Sequence, residues 1–327
     1  MRVTLRPLTL GEILDLTAQL YRENFLLFAG ISAIYSGALL ALSLVAIGIE
    51  TALQAAQMVV ALQWITRIAA GGSILVAFIA AGAAVAANNQ AVGWLHLGRP
   101  ASIRTAYGSI LPRIGRYLWL MTITAFFVWL PLALLYVGYA IFLLAYVRPR
   151  GMFVSPGIAA RPEAAAGFLV ASGIFALLLL PAVAYTIVMA LRYALAVPAC
   201  VMEGLKARQA IRRSIHLTRG SRGRIFVLGL LAIAIQVGLL LLTQTFFIVT
   251  EIRHHGAASP GLRILQQFTA FLTNTFVGPI YATGLTLFYF DQRVRQEGYD
   301  LERMMEAAGL SVAEAPTLAS TDGDLQG

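Results

Sequence analysis

Six stretches of 24 to 31 residues contain no Asp, Glu, Lys, Arg or His: 25–49, 68–92, 117–147, 168–191, 225–249 and 264–290. An α-helix rises about 1.5 Å per residue, so about 20 apolar residues cross the ~30 Å hydrocarbon layer of a bilayer. Each run meets that length, and each is far too long for a core strand. The pattern predicts an all-α, polytopic membrane bundle of six spans. The third run is long enough to tilt strongly or to extend beyond the bilayer. Residues 50–67 carry Gln54, Gln57 and Gln63 among apolar neighbours. They either continue the adjoining helices or lie along the interface.

Composition agrees. Charged residues make up 12% of the 327-residue chain and apolar ones 59%, with a mean hydropathy of +0.78. Soluble domains carry roughly 25% charged residues, so too little polar surface remains to cover a water-exposed globule of this size. The single cysteine, Cys200, excludes an intrachain disulfide and a multi-cysteine metal site.

The connections set the orientation. With the N-terminus inside, 18 of the 24 basic residues fall on the cytoplasmic side and 6 on the other. That split follows the bias of Lys and Arg towards cytoplasmic loops and predicts cytoplasmic termini. The densest basic group is Arg208, Arg212, Arg213, Arg219, Arg222 and Arg224, in the connection between the fourth and fifth runs. These arginines abut spans, so anionic lipid headgroups, rather than nucleic acid, are the expected counter-charge. The positive-inside bias alone also accounts for them.

The cytoplasmic connections look helical and amphipathic. Thr9 and Glu12 have capping-box spacing, and Leu10, Ile13, Leu14, Thr17 and Tyr21 share a face opposite Glu12, Asp15, Gln19 and Arg22. The phase returns at Ser102, Ile103, Ala106, Tyr107 and Ile110, and again at Ala210, Ile211, Ser214, Ile215 and Thr218. This predicts a threefold internal repeat of interfacial helix, span out and span back within a membrane domain over 1–308. Residues 309–327 read as a disordered cytoplasmic tail.

Catalytic and metal signatures are absent: the sequence has no H-E-x-x-H, C-x-x-C, P-loop or G-x-S-x-G pattern. No cofactor is expected. His254 and His255 read as part of a solvated outer loop. The runs do carry uncharged polarity, in Asn88, Asn89, Gln90, Gln236, Gln244 and Asn274, and prolines at Pro131, Pro181 and Pro279. These amides either line a cavity for an amphiphile or tie helices together. After the sixth run, Asp291 and Arg295 stand at i,i+4 and Gly298 is placed to end the helix. Asp291, Glu297 and Asp300 are candidates to latch onto the basic connection around Arg212 and Arg213.

Three stretches together resemble a bacterial family, the glycerophosphoryl diester phosphodiesterase membrane domain. They are Leu5-Arg6-Pro7-Leu8-Thr9-Leu10-Gly11-Glu12-Ile13-Leu14-Asp15 with Tyr21-Arg22, then Glu203-Gly204 with Ala210-Ile211-Arg212-Arg213-Ser214 and Leu217-Thr218-Arg219-Gly220, and finally Tyr289-Phe290-Asp291-Gln292-Arg293-Val294-Arg295-Gln296-Glu297-Gly298-Tyr299-Asp300-Leu301. The resemblance implies a helical module of the bacterial inner membrane. A phosphodiesterase barrel needs about 250 residues, and 37 follow Phe290, so no catalytic residue is carried over. The expectation is a non-catalytic module that binds anionic lipid, a partner protein or a second copy of itself. The alternative is a transporter or flippase-like carrier of a lipid or hydrophobic solute.

Overall fold

The computed structural model describes residues 6–147, 162–253 and 259–298. Among these residues the chain is helical and contains no strand. Its α-helices are α1 (Leu10–Glu23), α2 (Phe25–Ala55), α3 (Val59–His96), α4 (Ile103–Ile110), α5 (Ile114–Phe142), α6 (Pro162–Tyr193), α7 (Ala196–Glu203), α8 (Ala207–Leu217), α9 (Arg222–Arg253) and α10 (Pro260–Glu297). By length and composition, five helical stretches are apolar enough to cross a membrane: Phe25–Ala55, Val60–His96, Ile103–Ala145, Ala166–Glu203 and Arg222–Thr250.

Residues 50–67 continue the neighbouring helices rather than lying along an interface. α2 runs to Ala55, the chain reverses through Gln57 at φ 57°, and α3 starts at Val59. Pro131, Pro181 and Pro279 are all accommodated inside helices.

The three short amphipathic helices begin alike. The Thr9 N–H donates to Glu12 Oε2 at 2.7 Å, the Ser102 N–H to Thr105 Oγ1 at 3.0 Å, and the Lys206 N–H to Gln209 Oε1 at 3.2 Å. In each case the third helical residue reaches back to an otherwise unpaired amide. Their buried residues then follow at matching offsets: Ile13, Thr17 and Leu20 on α1, Ala106 and Ile110 on α4, and Ala210, Ser214 and Leu217 on α8. α1 packs on α10, α4 on α3, and α8 on α7.

α10 is less apolar than the five, carrying Gln266, Gln267, Thr269, Thr273 and Asn274 in its first half. It lies antiparallel to α9 along nearly its whole length. Gln266 meets Gln244 at 3.2 Å, Leu228 packs on Gly284, and Arg224 reaches Asp291 at 3.1 Å. Near its start, Arg263 pairs with Glu50 at the far end of α2, at 2.5 Å. Its second half is the centre of the molecule, with every residue from 282 to 292 buried. Leu285, Leu287, Phe288, Tyr289 and Phe290 there join Ile13 and Leu20 of α1, Ala91 and Val92 of α3, and Ala199 and Cys200 of α7 in one core. Buried side chains of that size each contribute about 1.5–3 kcal/mol in a water-facing core. This packing, not composition, makes α10 the axis of the bundle.

Candidate functional site

At the arginine-rich end the core is closed by two ion networks built on the last turns of α10. The first centres on Asp291, whose side chain has no exposed area. It accepts the backbone N–H of Leu8 at 2.7 Å, Arg224 Nη1 at 3.1 Å and Arg295 Nε at 3.0 Å. Both guanidinium groups also donate to the Leu8 carbonyl, at 2.7 and 2.6 Å. Arg224 lies over the Phe288 ring, 5.2 Å from its centre. The buried carboxylate thus meets two cations and an amide, the condition under which such a charge is tolerated away from water.

The second network centres on Arg213. Its Nε donates to both oxygens of Glu203, at 2.9 and 3.0 Å, and its terminal nitrogens hold Glu297, Nη2 at 2.6 Å. The Tyr289 hydroxyl donates to Glu203 at 2.6 Å, and Gln296 donates to the Leu217 carbonyl at 3.0 Å. Burial works to raise the pKa of Glu297, but the hydrogen bond and charge of Arg213 outweigh it, leaving the carboxyl below its ordinary value. Gly298 ends α10 in the left-handed region at φ 64°, as its position in the sequence suggests.

Sequence grouped Asp291, Glu297 and Asp300 against Arg212 and Arg213. The structure brings Glu297 to Arg213 but sends Asp291 to Arg224 and the N-terminal segment. Arg295 is bonded to Asp291, and Asp300 lies outside the described residues, as do His254, His255 and 309–327. The six candidate lipid contacts also divide. Arg213 and Arg224 are spent on carboxylates of this chain. Arg208, Arg212, Arg219 and Arg222 are exposed and have no carboxylate within ion-pair reach among the described residues. They line the outer side of α8, the turn after it and the first residue of α9.

The intramembrane amides separate into two places. Asn88 and Asn89 are buried, Asn88 donating to Ser32 Oγ at 3.3 Å and Asn89 accepting from Thr286 at 2.9 Å. They tie α3 to α2 and α10, with Ser36 and Thr275 bonded nearby at 2.7 Å. Gln90 is half-buried beside them. Gln236, Gln244 and Asn274 instead share a groove of about 330 Å³ between α9 and α10 with Gln266, Thr269 and Thr273. The helical spacing of these polar residues on the two helices was the available signal. A further cavity of about 620 Å³ separates α1 from the end of α3, with Glu12, Asp15 and Glu23 on one side and His96 and Arg99 on the other. The sequence marks Glu12 and Asp15 only as the polar side of an amphipathic helix and carries no sign of this cavity.

No group of three or more metal-binding side chains occurs among the described residues. No family model, no curated protein and no solved structure matches the chain.

Proposed function

We propose that this chain is a non-catalytic, six-span module of a bacterial inner membrane that binds anionic lipid at its cytoplasmic face through Arg208, Arg212, Arg219 and Arg222. The observation that carries the reading is the division of the arginines. Two are neutralised inside the molecule, while four are exposed along one edge beside the apolar helices. Near an anionic leaflet each such residue contributes about 1 kcal/mol, so four give a strong, charge-selective contact.

The sixth span is α10. It lies alongside α9 over the length that α9 needs to cross, and its polar residues meet neighbouring helices rather than lipid alone. The matching caps and buried offsets of α1, α4 and α8 support a threefold repeat. Each short helix lies on the closing element of the unit before it, and α1 on α10 completes the ring. The three quoted motifs support membership of the glycerophosphoryl diester phosphodiesterase membrane-domain family.

The test is retention of dioleoylphosphatidic acid by the purified chain, read by native mass spectrometry. Replacing the four exposed arginines by glutamine should lower retention at least tenfold and leave the melting temperature unchanged. Equal retention would refute the lipid reading and leave the arginines as orientation signals. For the orientation, cysteines at Gly157 and Ala257, in a Cys200→Ser background, should react with an impermeant thiol reagent outside whole cells. Cysteines at Ser109 and Ser320 should not; the reverse pattern overturns the topology.

A further inference from the structure

The groove between α9 and α10 is unlike the rest of the apolar surface. Gln236 and Gln244 stand within the uncharged run 225–249 of α9, opposite Gln266, Thr273 and Asn274 of α10. The Gln266–Gln244 hydrogen bond of 3.2 Å closes one part of it. The side chains of Gln236 and Asn274 form no hydrogen bond among the described residues, and both are accessible from the groove. An unpaired amide in hydrocarbon costs several kcal/mol, so two facing one cleft call for a polar occupant.

We infer that this groove is a second lipid site, selective for an amphiphile whose headgroup is uncharged and bears free hydroxyls, such as a diacylglycerol or its glycosylated form. Three features of the lining select that chemistry. Amides and hydroxyls both donate and accept, as a hydroxyl headgroup requires. No Arg or Lys lines the groove, so a phosphate would enter without a counter-charge. Val237, Leu240, Phe247 and Val277 supply apolar walls along which an acyl chain can lie. The volume, about 330 Å³, is at the lower end of small-molecule sites, which run from about 300 to 1,000 Å³. It holds a headgroup and the first part of a chain, the remainder staying in the bilayer. The site shares no residue with the arginine edge of α8, so either proposal can fail alone.

The experiment uses the full chain in an amine-oxide detergent, which offers no hydroxyl or sugar headgroup to compete. Dioleoylglycerol and monoglucosyl-dioleoylglycerol are added separately, and bound lipid is counted by native mass spectrometry. The two arms distinguish a bare glycerol hydroxyl from a sugar as the recognised group. Retention of at least one of them, one per chain, is expected, with a loss of at least tenfold in Gln236→Leu/Asn274→Leu. That variant should keep its retention of dioleoylphosphatidic acid. If it does not fold, Leu240→Trp, which fills the groove without removing an amide, should show the same loss. Retention of neither lipid, or equal retention in the variants, overturns the inference. So does a wild-type dimer that the leucine substitutions convert to monomer, which would make the groove an interface between copies.

Discussion

The carboxylate of Asp291 holds the backbone N–H of Leu8 at 2.7 Å, across 283 positions of sequence. Leu8 stands just before α1, and Asp291 lies in the last two turns of α10, so this one bond joins the first described helix to the last. Arg224 and Arg295 brace it from both sides by bonding the Leu8 carbonyl as well as the carboxylate.

Asp291→Asn keeps the shape and an acceptor for Leu8 but leaves Arg224 and Arg295, still bonded to the Leu8 carbonyl, without their counter-charge. Removing one partner of a buried ion pair typically costs about 3–5 kcal/mol. Denaturation in detergent should show a loss of that order, and limited proteolysis should cut residues 6–9 faster than in the unsubstituted protein. A loss below about 1 kcal/mol would mean that the side-chain charge matters little to the closure.

Arg213 and Glu297 should couple, and Arg213 and Asp291 should not. The first two share hydrogen bonds and are roughly a quarter exposed. A double-mutant cycle of Arg213→Gln with Glu297→Gln should therefore return about 1 kcal/mol of interaction, reduced by salt. The cycle of Arg213→Gln with Asp291→Asn should be additive within about 0.5 kcal/mol, because the two have no partner in common. Coupling of the second pair would restore the single latch that the sequence suggested.

Stability should fall in acid through a defined pair of carboxylates. Glu12 is held down to about 2 from an ordinary 4.5, first by the Thr9 backbone N–H and then by Arg6. Glu297 is also held below its ordinary value, as described above. A carboxyl with a lowered folded pKa stabilises above its unfolded value, and that contribution disappears as pH falls through the folded one. These two carboxyls should thus contribute no pH dependence between pH 7 and about 5, and their share of the decline in melting temperature should begin below about 4.5. In Glu12→Gln/Glu297→Gln that decline should be shallower. An unchanged slope would place the acid sensitivity elsewhere.

The uncharged runs were readable because lipid permits no alternative: a charge there is costly, and every one of the six runs lacks it. The centrality of α10 was not readable. Gln266, Thr273 and Asn274 weaken its apolar signal, and only tertiary packing shows that neighbouring helices, not lipid, surround its second half. The two fates of the arginines were partly legible. Ala210, Ser214 and Leu217 mark the buried side of α8, so Arg213 flanks that side while Arg208 and Arg212 point away. The bond between Leu8 and Asp291 had no local signal, since a backbone amide is the same at every residue and only the fold chose this one.

The polarity of α10 also bears on how the protein is made. Each of the five apolar helices can leave the translocation channel for lipid unaided, since its own composition favours the transfer. α10 emerges after them and is poorly suited to lipid alone. If α10 is the sixth span, as proposed above, it reaches a membrane in which α2, α3 and α9 already stand, and they offer amides, hydroxyls and a small-residue face for its side chains. Biosynthetic order and composition are therefore matched: the helices that can wait in the bilayer come first, and the one that needs company comes after its hosts.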